Sequence, residues 1–97
     1  MIGWVDVVLG RRLRARRKLL GMTQLDVANV CGLSFQQIQK YENAVNKVSA
    51  ATLWELSRAL RVEMSYFYDG LSDMNGVRQS VNVARRELEA APQRVEA

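Results

Sequence analysis

The sequence predicts an all-α fold of five helices, and three observations carry that prediction. Apolar residues recur at three- and four-residue spacing with no alternating strand pattern. Ser, Thr and Gly stand where helices must begin and end. With 97 residues, 48% hydrophobic and 25% charged, the chain has the composition of one folded soluble domain and room for one modest core.

The first helix is expected from about Asp6 to Leu20, with Val5, Leu9, Leu13 and Leu20 on one face, Arg17 inside that stripe, and Gly21 ending it. Thr23 caps a second helix over 24–31, with Asp26 three positions on to complete a capping box, and Gly32 stops it. Ser34, paired with Gln37 in a second capping box, opens a third helix to Glu42 whose inward positions are Ile38 and Tyr41. A polar loop over 43–48 follows. Ser49 then caps a fourth helix with Leu53, Leu56 and Leu60 facing in, and Val62 and Phe67 extend the pattern into a short fifth helix or turn closed by Gly70. The domain is thus expected over 6–71. Residues 72–97 read as a linker and a C-terminal helical tail, with Val77, Val81, Ala84 and Leu88 at helical spacing, rather than a separate domain.

The missing chemistry narrows the function. No His and a single Cys, Cys31, leave no Cys/His zinc site and no Ser-His-Asp or Cys-His arrangement. No paired carboxylate cluster or phosphate-cradling glycine loop is present either, so neither an enzyme nor a cofactor or metal is expected. The apolar start precedes its arginines, the reverse of a secretory leader, and Arg11-Arg12 is not followed by the apolar run of a twin-arginine signal. No stretch reaches the roughly 20 apolar residues that span a bilayer. A cytoplasmic protein is expected, with no membrane partner.

Charge points to a polyanion. The net charge is +4, but residues 1–22 hold six basic residues and one acid, 23–71 four and five, and 72–97 four and four, so the excess sits around the first helix. The stretch Gln24 to Asn43 narrows the partner further. Two short helices that cross closely need a small residue at the fifth position and a residue tolerant of positive φ at the ninth, and Ala28 and Gly32 stand there. Val27, Cys31, Leu33, Ile38 and Tyr41 fall where both helices must point into a shared core.

With these residues in place, the sequence resembles the Cro/repressor-type, or XRE, helix-turn-helix family of bacterial and phage transcription regulators, with its five-helix lambda-repressor-like domain. The resemblance covers about Leu9 to Gly70 through Leu9-Gly10, Leu13, Arg17, Gly21-x-Thr23-Gln24, Val27-Ala28, Gly32-Leu33-Ser34, Ile38, Glu42-Asn43 and the Leu53/Leu56/Leu60/Val62 tail. Phe35 and Gln37 depart from the residues relatives favour in the third helix, and Ala44 replaces the glycine common after Glu-Asn. The resemblance implies that helix 34–43 lies in the DNA major groove.

The residues of that helix support such a role independently. Its outward set, Phe35, Gln36, Gln37, Gln39 and Lys40, is rich in amides and carries no acid. Glutamine can pair with adenine N6 and N7, and an aromatic ring can rest on a thymine methyl, so Phe35, Gln36, Gln37 and Lys40 are the expected base contacts. Expected phosphate contacts are Gln24 at a helix N-terminus, Ser34, Gln39, Asn43 and Lys47 around the reading helix, and Arg11 and Arg12 from the first. Arg14, Arg16 and Lys18 add to the long-range field. The resemblance also implies a structural ion pair between Arg17 and Glu42. The expected protein is a sequence-specific, double-stranded-DNA-binding repressor acting as a homodimer on operator half-sites, nucleoid-associated when bound. A second reading is an antitoxin-like or adaptor module that binds a protein partner through residues 77–91, with DNA binding secondary.

Overall fold

A computed structural model describes residues 1–71, which form four α-helices and one 3-10 helix: α1 Trp4–Leu19, α2 Gln24–Cys31, α3 Phe35–Glu42, α4 Ala50–Ala59 and the 3-10 helix Met64–Tyr68. The expected tail over 72–97 lies outside the described residues.

The first helix begins two residues earlier than its sequence suggested. Gly3 serves as N-cap, its N–H donating to Asp6 Oδ2 at 2.7 Å while its carbonyl accepts from Asp6 N–H at 3.1 Å. This carboxylate in the first turn replaces the Ser or Thr that usually starts a helix. At the other end Gly21 takes φ +71. The α2 capping box forms as expected: Asp26 N–H donates to Thr23 Oγ1 at 3.0 Å and Thr23 N–H to Asp26 Oδ2 at 2.8 Å. Gly32 then turns the chain with φ +68. Only half of the second box forms, with Gln37 N–H on Ser34 Oγ at 3.2 Å. Ser49 caps α4 through Thr52 N–H at 3.1 Å.

The fifth element is not an α-helix, so the five-helix count is corrected to four α-helices and a 3-10 helix among the described residues. Arg61, at φ +60, swings the chain away from α4, and Gly70, at φ +81, reverses it again. Between them the five residues Met64–Tyr68 wind as a 3-10 helix, a form that occurs in short pieces of this kind.

The core joins all five elements. Leu9 and Leu13 of α1, Val27 and Ala28 of α2, Ile38 and Tyr41 of α3, Leu53 and Leu56 of α4, and Leu60 and Phe67 form one buried cluster. Each fully buried Leu, Ile or Phe contributes about 1.5–3 kcal/mol by leaving water. A smaller cluster at the start of α1 sets Val8 against Leu71, with Trp4 and Val5 beside them. Where α1 crosses the end of α3, the backbones nearly touch at Gly10. A Cβ there would meet the carbonyl oxygens of Tyr41 at 2.5 Å and Glu42 at 2.7 Å.

Candidate nucleic-acid interface

The third helix is held at its C-terminal end. Arg17, reaching from α1, donates from Nε to Glu42 Oε2 at 2.6 Å and from Nη2 to Oε1 at 3.1 Å. The remaining guanidinium nitrogen bonds the Met22 carbonyl at 2.9 Å, and Gln24 Nε2 at the start of α2 donates to Glu42 Oε1 at 3.1 Å. One carboxylate therefore ties α1, α2 and α3 together. The Glu42 side chain is 1% exposed and that of Arg17 10%, so the pair sits in a low-dielectric setting. Its net contribution is small, but removing one partner is costly.

Outward from this node, α3 presents Phe35, Gln36, Gln39 and Lys40 to solvent, with Gln37 half-buried. Phe35 is 43% exposed, a large apolar area to leave open beside four polar neighbours. Among the described residues, the side chains of Gln36, Gln39 and Lys40 make no internal hydrogen bond. Ser34 and Asn43 are exposed at the two ends of the helix, Ser34 as N-cap and Asn43 as C-cap. The expected clamp residue Lys47 is exposed too, but it pairs with Asp6, Nζ to Oδ2 at 3.0 Å. The Gly3 N–H bond and then Lys47 hold the Asp6 carboxyl below its ordinary value.

The basic first helix divides in two, which corrects one site assignment. Arg11, Arg14 and Lys18 are exposed, whereas Arg12 is 1% exposed and Arg16 8%. Arg12 donates to the carbonyls of Tyr66 at 3.2 Å and Asp69 at 2.5 Å, and Tyr66 Oη donates back to the Arg12 carbonyl at 3.2 Å. Arg16 bonds the Leu60 carbonyl at 2.7 Å and the Arg61 carbonyl at 3.2 Å. These arginines neutralise carbonyls that the end of α4 and the 3-10 helix leave unpaired. Arg12 is thus not a phosphate contact, and Arg16 is not part of the solvent-facing field. The spacing Val8, Arg12, Ala15 marks a second buried face of α1, which was legible as i, i+4, i+7 but masked by reading arginine as surface. Cys31, read as a buried hydrophobe, is half-buried at the end of α2, and desolvation, aided by Glu55, pushes its thiol up.

Two capped eight-residue helices joined through a left-handed glycine, with the second open to solvent along an amide-rich face, define a helix-turn-helix DNA-binding protein. The chain belongs to the Cro/repressor-type helix-turn-helix family of transcription regulators, as a helix-turn-helix family model matches residues 13–67. It is 39% identical over 92 residues to the HTH-type transcriptional regulator y4wC of Sinorhizobium fredii, covering 95% of this chain and 63% of that protein. The chain spans about half the length of two further curated regulators it matches, 48% and 47%. Among solved structures, the restriction-modification controller protein C.AhdI from Aeromonas hydrophila is 29% identical with a TM-score of 0.62, covering 64% of this chain and 94% of that one. The DNA-binding domain of the P22 C2 repressor is 30% identical with the same TM-score, covering 71% and 91%. Among the described residues, no helix is long and apolar enough to cross a membrane.

Proposed function

We propose that this protein represses transcription by binding operator half-sites as a homodimer, with α3 in the major groove. The observation that carries this reading is the contrast between the two ends of α3. Its C-terminal end is fixed by Arg17 and Gln24 on Glu42, while Phe35 and Gln36 at the other end project into solvent on the first turn. A reading helix needs that combination, because a base contact discriminates only if the side chain arrives at a set position. Phe35, Gln36, Gln37 and Lys40 are the base contacts, and Gln24, Ser34, Gln39, Asn43, Lys47 and Arg11 approach phosphates. Gln–adenine and Phe–thymine contacts favour A·T pairs in the half-site. The likeness to the P22 repressor domain and to a controller protein supports a regulatory role. Trp54 and Tyr68, 47% and 45% exposed on α4 and the 3-10 helix, are the apolar groups a second protomer would cover. Dimeric binding sets the half-sites about 34 Å apart.

The test is selection of bound duplexes from a random pool, followed by titration of the selected operator and a scrambled duplex across salt. The selected duplex should bind at least about a thousandfold more tightly at physiological salt. Equal affinities would refute sequence-specific reading, since the basic residues alone supply a non-specific term.

A further inference from the structure

We propose that α1 carries a second, sequence-independent DNA surface: a basic groove that holds the phosphate backbone of the duplex flanking the half-site. This inference rests on the DNA-binding reading above and extends it to a surface of which only Arg11 has been given a phosphate contact.

Arg11, Arg14 and Lys18 follow one another at i, i+3 and i+7, so they lie on one stripe of α1, continued by Val7. That stripe forms one wall of a groove of about 710 Å³, and Glu42 and Asn43 contribute to the other. All three cations are exposed, and among the described residues none makes a hydrogen bond or an ion pair. The contrast with the same helix's other arginines is sharp, because Arg12, Arg16 and Arg17 are each committed to internal oxygens. Glu42 is the one acid of the groove wall, and it is already bound by Arg17 and Gln24, which leaves the rim a net cationic surface.

Length and position indicate the ligand. Seven residues of α-helix advance about 10 Å, so the three long cations of the stripe can reach two or more consecutive phosphates of one strand. Asn43 lies both in the groove wall and at the start of the loop that carries Lys47. A strand held at Asn43 therefore has α1 as its continuation, away from the bases that α3 reads. An open groove rimmed by long cations suits a continuous charged strand, whereas a small phosphorylated ligand calls for enclosed, directional donors.

The experiment compares the wild-type protein with the triple variant Arg11→Gln/Arg14→Gln/Lys18→Gln. Two duplexes carry the same selected operator, one trimmed at its ends and one extended by about one helical turn on each side. On the extended duplex the triple variant should show a salt dependence of log K shallower by about two to three units per protomer, at roughly 0.9 per phosphate. On the trimmed duplex the difference should shrink to at most the single phosphate contact of Arg11, about 0.9 units, and the preference for operator over scrambled DNA should be unchanged. Equal salt slopes on the extended duplex would overturn the inference and leave specific reading intact. So would a loss of the same size on both duplexes. Competition by inorganic triphosphate that depends on the three residues, without a slope difference, would instead make the groove a small-anion site and overturn the flanking-DNA assignment. A wild-type protein indifferent to sequence would refute the parent reading, while the slope comparison would still decide the groove. The melting temperature of the triple variant should match wild type, and if it does not, Arg14→Gln alone should reduce the slope by about one unit.

Discussion

Replacing Gly10 with alanine sets two known effects against each other. In a helix interior, glycine to alanine is worth about 1 kcal/mol in favour of folding. Here the new Cβ would lie 2.5 Å from the Tyr41 carbonyl oxygen and 2.7 Å from that of Glu42, where ordinary contact begins near 3.4 Å, a shortfall of 0.9 and 0.7 Å. Both obstacles are backbone atoms at the end of α3, so no rotamer change relieves them and α1 must move away from α3. Such overpacking costs about 1–3 kcal/mol. With rigid obstacles the upper part of that range applies, and the clash outweighs the propensity gain by about 1–2 kcal/mol. For a domain of this size, the melting temperature should then fall by about 5–15 °C, read by circular dichroism. Displacing the end of α3 also strains the Arg17–Glu42 pair, so operator affinity should fall at temperatures where the variant is still folded. A Gly10→Ala protein that melts at or above wild type would refute the close approach of α1 and α3.

Other substitutions probe the remaining features. Ala44 sits at φ +57, a left-handed conformation that costs an L-residue roughly 1 kcal/mol, so Ala44→Gly should raise stability by up to about 1 kcal/mol in chemical denaturation despite the extra freedom of the unfolded chain. Glu42→Gln strips the buried Arg17 of its counter-charge and should cost about 3 kcal/mol; combining it with Arg17→Met should recover part of that loss, and additive losses would rule out coupling. Asp6, held below its ordinary value of 3.8, contributes stability that is present above the unfolded pKa and lost as pH falls through the lower folded value. As pH falls from neutral through the carboxylate range, wild type should therefore lose a fraction of a kcal/mol that Asp6→Asn never had, as measured by urea midpoints.

Local signals made most of the helix boundaries legible. The Thr23–Asp26 capping box, the glycines at 21 and 32 and the Ser49 cap each specify a backbone conformation within a few residues, and the chain adopts them. Gln24 and Glu42 were legible through their spacing and the family resemblance. What sequence reading lost was decided by contacts over longer range. Arg12 and Arg16 resemble surface arginines until the carbonyls of residues 60, 61, 66 and 69 are placed over them, 44 to 57 residues away. The start of α1 lacked a Ser or Thr cap, and Asp6 instead reaches back from inside the helix to accept from the Gly3 N–H. The 3-10 winding of the last element was not legible, nor was the turn that precedes it at Arg61, whose positive φ its side chain does not advertise.

The one-ended anchoring of α3 makes this scaffold suited to redesign. Structural obligations are concentrated in Ile38, Tyr41 and Glu42, whereas Phe35, Gln36, Gln39 and Lys40 are all solvent-facing. Those four positions can be exchanged as a cassette at little cost in folding free energy, since solvent-facing substitutions generally stay within about 0.5 kcal/mol. Gene duplication could exploit the same division: copies would diverge in the DNA they read while retaining one fold, and the vocabulary of operators would widen without the core being rewritten.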